Sequence, residues 1–223
     1  MGPGRPPPGG PRPTHATARA LAEVAPYAQA FADGIGNTVP VEAAAARHEV
    51  MLDGVRVHGR IADLHPQGLV RVHIGALNGP SAIRHGLDAL LLNASGVPVP
   101  LLQIHDGDDG IRAYLTPARP AEQAQDALRV LLGLRRDGLR APLLFAPHTG
   151  WAIHTAAPDA CAAAAREAWY PGDYRWGEST GDAIQLAFRG RDPLADAAGM
   201  QDFIDTSLRV YAAVVGTGAE DAA

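Results

Sequence analysis

The chain has 223 residues, a formal net charge of −5, 47% hydrophobic and 5% aromatic residues; this suits one large domain or a domain with extensions, and excludes a surface that grips nucleic acid all over. All 19 basic residues are arginine, which disfavours Schiff-base, P-loop and E-x-K nuclease chemistries in their lysine-dependent forms. The single cysteine, Cys161, excludes an internal disulfide framework and a four-cysteine metal site; no apolar run suits a membrane span and the N-terminus has no secretory core, so a cytoplasmic protein without membrane contact is expected.

Residues 1–13 are almost entirely Pro, Gly and Arg, a leader that cannot bury apolar surface and is expected to be disordered. Residues 14–40 read as a helix capped by Thr14, bent or interrupted at Pro26, and then a loop from Gly34. The main domain is expected over residues 41–216. His48–Leu52, an Asp53-Gly54 turn and Val55–Ile61 predict a hairpin. After a Pro66-Gln67-Gly68 turn, Val70, Val72 and Ile74 alternate with Arg71 and His73. Two neighbouring strands are therefore expected to bury aliphatics on one face and expose Arg56, His58, Arg60, Arg71 and His73 on the other. Ser81 is the expected cap of a helix to Asn93. Val97–His105 reads as a buried strand, Asp106–Gly110 as a turn and Ile111–Leu115 as a strand. Helices are expected at Pro120–Arg136, from Pro158-Asp159 through Trp169, at Asp182–Phe188 and at Met200–Val215. Residues 217–223 are expected to fray. The order indicates an α+β domain with a helical C-terminal half.

The arginine and histidine face is the strongest nucleic-acid candidate, because guanidinium forks bind phosphate oxygens; a plain solvated face is the competing reading. No cofactor is implied. No histidine pair has H-E-x-x-H spacing. His58 and His73 could meet across paired strands, but nothing completes a metal site. The D-G-D-D-G run lacks the later glutamate of a calcium loop, and no serine lies in a G-x-S-x-G elbow. Trp151, Trp169 and Trp176 suit core or interface positions. The stiff loop between Pro142 and Pro147 makes Leu143, Phe145 and Trp151 candidates for a partner interface. Glu178 and Asp182, one helical turn apart, are expected to cap the following helix and to pair with Arg175 or Arg189.

Several motifs occur in a fixed order: Gly138-Leu139, Pro142-Leu143, Phe145 and Pro147, then Ala162, Ala165 and Trp169, then Gly177-Glu178 with Asp182, then Phe188-Arg189-Gly190. Together with V-H-G-R-I-A-D-L from Val57 and G-L-V-R-V-H from Gly68, this order resembles the C-terminal domain of RecC, the gamma subunit of exonuclease V (RecBCD), from about Val50 to Val215. The resemblance implies a PD-(D/E)xK nuclease-like fold that has lost its catalytic residues. It also implies partner subunits like RecB and RecD, and a part in double-strand break repair by homologous recombination through scaffolding and strand guidance. The longer family members carry helicase-like domains ahead of this region; whether the Pro-Gly leader is a linker remnant or the product of a truncated frame stays open. In an active member, carboxylates on adjacent strands hold Mg²⁺ and a lysine assists the attacking water. Asp63 is the nearest acid, and Gln103-Ile104-His105 stands where an E-x-K signature is expected. The expectation is a catalytically dead domain with weak, sequence-independent DNA binding; the alternative is an active metal-dependent nuclease of the same fold.

Overall fold

The elements follow from a hairpin, a parallel crossover and a set of small-residue helix contacts. The structure is a computed structural model that describes residues 13–36 and 45–216. The expected disorder of residues 1–12, part of the loop from Gly34 and the fraying of 217–223 lie outside those residues.

Helix α1 (Pro13–Ile35) begins before Thr14 and runs through Pro26 without a break. The carbonyl that Pro26 leaves unpaired belongs to Ala22, on the exposed half of the helix where water can bond it. Strands β1 (Ala46–Leu52) and β2 (Val55–Ile61) form the expected antiparallel hairpin. Asp53 and Gly54 both have positive φ, 49° and 79°, which matches a primed two-residue turn to the strand twist. This hairpin is a sheet of its own.

The second sheet has the order β3-β4-β5-β6, from β3 (Leu64–His65), β4 (Gly68–Ala76), β5 (Leu101–Gly107) and β6 (Gly110–Thr116). β4 and β5 are parallel, so a crossover must join them. Helix α2 (Gly79–Ala94) provides it. Its cap is Asn78, whose side chain accepts from the Ser81 N–H at 3.1 Å, rather than Ser81; Gly79-Pro80 fill the first turn, where proline's missing donor costs nothing.

One expectation is corrected here. β2 and β4 do not neighbour each other, so His58 and His73 do not meet across paired strands. β4 also keeps its alternation with the opposite sense. Val70 packs under α1 with Tyr27, Leu102 and Ile104, whereas Val72 and Ile74 are 45% and 66% exposed. Leu69 points the other way, to α2, together with Leu101, Leu91 and Leu92. Arg71 and His73 share that second face. Both faces of β4 are covered near its start, so aliphatic character alone does not tell which face lies inward.

Helix α3 (Ala121–Gly138) packs Ala124 and Leu128 against Leu90 and Ala94 of α2 and Leu52 of the hairpin. The stretch from Pro147, for which the sequence predicts no element, is helix α4 (Pro147–Thr155), with proline at its start. Helices α5 (Cys161–Trp169), α6 (Asp182–Phe188) and α7 (Ala197–Val215) complete the C-terminal half. One end of α7 buries Met200, Phe203 and Ile204 with Trp169, Phe188 and Ile153. Its other end buries Val210 and Val214 against Leu134.

At the meeting of α2, α4 and α7, Tyr211 is fully buried and its hydroxyl donates to the Pro147 carbonyl at 2.6 Å. A Cβ at Gly79 would collide with that carbonyl and that hydroxyl; one at Gly86 would strike Val214. Gly133 of α3, by contrast, has open space around it. Gly79→Ala is therefore expected to lower the unfolding free energy by about 2 kcal/mol through overpacking, and Gly133→Ala to raise it by about 0.5–1 kcal/mol. Urea titration of the two variants checks the opposite signs.

Candidate functional site

Two groups of polar residues lie on opposite sides of the hairpin and α2, one buried and one exposed. The buried group follows from the register of β4 and β5, in which Arg71 stands beside Gln103. In a parallel pair, partners point to the same face, so the α2 side passes from Leu69 and Leu101 to Arg71 and Gln103 and then to His73 and His105. The Arg71 side chain is only 14% exposed. Its guanidinium donates to Asp88 of α2 at 2.8 Å and to Asp63 at 3.4 Å, and to the carbonyls of Ala62 at 3.0 Å and Val70 at 2.9 Å. Every face of the fork is used, as a charge so enclosed requires.

The imidazoles beside it are equally engaged. His73 lies within 3.3 Å of Asn78 and 3.2 Å of Ser81. His85 of α2 is 3.1 Å from Gln103, and both are buried. Burial first, then the positive charges of Arg71 and the neighbouring histidines and Arg84, pull His85 down to about 4. Burial also lowers His105, which stacks on Tyr114 at 4.2 Å. Asp63 is exposed at the corner after β2, Glu49 is on the outer face of the hairpin paired with Arg47, and Gln103 is buried; the three do not converge. Among the described residues, no three His, Cys, Asp or Glu side chains form a group that could hold a metal ion.

The exposed group is the outer face of the β1–β2 hairpin. Arg56, His58 and Arg60 stand there as expected, opposite Met51, Glu49 and Arg47. The five-residue face read from the sequence is thus divided: three members lie on this face, and Arg71 and His73 lie inside against α2. Arg47 joins the exposed group, which sequence reasoning missed because β1 was given no polar face of its own.

Leu143, Phe145 and Trp151 are half-buried. Phe145 and Leu143 pack toward Leu134, Val210 and Val214. Trp151 lies 5.3 Å from Tyr211, ring to ring. Glu178 differs from expectation as well. It is 3% exposed and caps α4, 30 residues earlier, accepting from the His148 N–H at 3.0 Å and the Thr149 N–H at 2.6 Å. A carboxylate suits the positive end of that helix. Arg175 pairs with Glu167 instead, at 3.3 Å. Asp192 accepts from Trp169 and from Tyr170, whose hydroxyl is pushed up to about 12 mainly by that bond.

The family described as RecC C-terminal domain matches residues 7–158. The chain belongs to this family. Membership gives it a RecBCD-related role, within a complex whose RecC subunit is itself non-catalytic. No curated protein was found to match the chain. The matched span holds α1, both sheets, α2, α3 and α4, and so both polar groups. The motifs quoted around Trp169, Glu178, Asp182 and Phe188–Gly190 lie beyond its end. Among the described residues no helix is long and apolar enough to cross a membrane.

Two outcomes follow for this RecC-family domain. Arg71→Ala is expected to cost about 2 kcal/mol of stability, since it strands the Asp88 carboxylate beneath α2, whereas Arg56→Ala stays within about 0.5 kcal/mol; urea midpoints measure both. His85 is neutral in the folded chain until about pH 4, while the unfolded chain protonates near 6.5. The unfolded state therefore binds more protons across that window, and stability falls as pH drops through it. Up to roughly 3 kcal/mol is lost on this account. Urea titrations from pH 7 to pH 4 are expected to flatten in His85→Gln, with a residual slope from His105 and His154, which burial also lowers.

Proposed function

We propose that this chain is a catalytically degenerate PD-(D/E)xK nuclease-like domain that holds RecB- and RecD-like partner subunits and guides DNA strands in cytoplasmic double-strand break repair. The observation that carries the reading is Arg71. An active member of that fold needs carboxylates on adjacent strands around a divalent cation. On β4 and β5, the strands joined by the crossover helix, the inward residues are Arg71, His73, Gln103 and His105, and none is an acid. Between the nearby carboxylates of Asp63 and Asp88 lies a guanidinium, a fixed cation that is part of the chain. Neutral histidine with lowered affinity for protons is a poor substitute for the missing lysine. The alternative of an active nuclease therefore has no carboxylate pair free to take a metal among these residues.

Strand guidance is assigned to the hairpin face. Arg47, Arg56 and Arg60 lie along it with Glu49 as the opposing charge, so it binds the phosphate backbone without reading bases. Three phosphate contacts give a slope of log K against log salt of about −3 on duplex DNA. Purified protein with Mg²⁺ or Mn²⁺ is expected to leave single- and double-stranded DNA intact; degradation abolished by Asp63→Ala or Asp88→Ala would replace this reading with the nuclease. In the same preparation, Arg47→Glu/Arg56→Glu/Arg60→Glu is expected to abolish low-salt DNA binding with an unchanged urea midpoint. Unaltered binding by that variant would make the hairpin ordinary solvated surface.

A further inference from the structure

A cavity of about 710 Å³ opens between the end of α3, the loop after it and the first half of α7, on neither of the polar groups described above. Its floor is apolar: Pro142, Leu143, Leu144 and Leu208. Leu208 is 37% exposed, and Leu139 beside the loop is 71% exposed. Its rim is acidic, with Asp137, Asp202 and Asp205 against one arginine, Arg209. We propose that this groove docks a cationic amphipathic helix of a partner protein. The inference deepens the scaffolding half of the proposed function and rests on it.

Three properties select that occupant. Leucines between polar residues give a helix an apolar seat, and two helices with a stiff proline loop between them form a groove of the kind an amphipathic helix enters. The rim decides the sign. Asp202 and Asp205 stand three apart on one exposed face of α7, and among the described residues Asp205 is engaged by its neighbour Gln201 alone. Asp137 has Arg140 no nearer than 3.9 Å. A helix laid along α7 therefore meets a carboxylate about once a turn, and arginine or lysine at matching spacing answers it. DNA is repelled by the same carboxylates, which separates this face from the arginine hairpin. A second copy applied through its own groove would bring acid onto acid. Residues 217–223 carry Glu220 and Asp221, the wrong sign, and residues 1–12, although they carry Arg5 and Arg12, offer no apolar residue but Met1 and prolines to cover the leucines.

The test uses the full chain and a fluorescent amphipathic helix peptide of leucine and arginine, with a leucine–glutamate counterpart and a leucine-free polyarginine as controls. The leucine–arginine peptide is expected to bind and the glutamate form not to bind. Asp202→Arg/Asp205→Arg and, separately, Leu208→Asp are expected to weaken binding by about tenfold or more. Urea midpoints should hold, since all three positions are exposed. Asp173→Arg, on an exposed turn that does not line the groove, should leave binding as it is. The proposal falls if no peptide binds, if polyarginine binds as tightly as the leucine peptide, or if the groove variants bind like the parent. It also falls if the parent sediments as a dimer that Leu208→Asp dissociates, which would make a second copy the occupant. None of these failures touches the hairpin arginines or Arg71, so the DNA and nuclease outcomes stand or fall separately.

Discussion

Helix α2 is enclosed by the sheet, the hairpin, α3, α4 and α7, and eleven of its sixteen residues are buried. An element enclosed on so many sides cannot leave a polar side chain unpartnered, because a buried unpaired donor or charge costs more than most contacts return. α2 nevertheless carries His85, which is buried, and Asp88, which is partly so. The partners come from β4 and β5, where Gln103 meets His85 and Arg71 meets Asp88. The parallel register that sets Arg71 beside Gln103 thus fixes the helix on the sheet. These two polar contacts and the close approaches at Gly79 and Gly86 together resist a slip of the helix along the sheet. Arg71 additionally ties the corner after β2, through Ala62 and Asp63, into the same arrangement.

The arginines consequently divide into two populations with different work. Arg71 and Arg119 are structural. Arg119 donates to the Ala213 and Val214 carbonyls at the end of α7, and burial lowers its proton affinity. Arginine suits both places because its fork satisfies several acceptors at once and remains charged. Arg47, Arg56 and Arg60 are exposed and carry little of the fold, which frees them to meet a ligand. The hairpin face is thus a locally positive surface on a chain of net charge −5, and the groove beside α7 is a locally acidic one. Segregating the two signs lets one domain meet a phosphate backbone and a cationic partner without either competing for the other's surface.

The C-terminal helices are held by buried polar contacts as much as by apolar ones. Glu178 caps α4, and Tyr211, fully buried, bonds Pro147 at the same helix end; burial and the nearby Glu178 charge both push the Tyr211 hydroxyl up. The hydroxyl is thereby kept as a donor. Thr149 and Ser207, also fully buried, have hydroxyl oxygens without a partner among the described residues. The family match ends at residue 158, yet α7 packs against α2, α3 and α4 within the matched span, so the later helices belong to the same body.

Local chemistry determined much of this from sequence. The Asp53-Gly54 turn, the hairpin around it and the periodic apolar faces of α2, α3 and α7 could be read directly, because each depends on neighbours a few residues apart. The ordered motifs led to the RecC family, although those from Ala162 onward lie beyond the matched span. What the sequence left open was direction. Period two in β4 says that Arg71 and Val72 face opposite ways; which one lies inside depends on where α1 stops covering the sheet and where Asp88 stands on α2. Glu178 was assigned to the helix following it because capping is usually local, whereas its partners lie 30 residues upstream. The helix at Pro147 has no predicted counterpart, although proline at a first turn is an initiator. Tertiary structure decided these points because burial, and with it the need for a partner, is a property of the assembled layers and not of any one strand or helix.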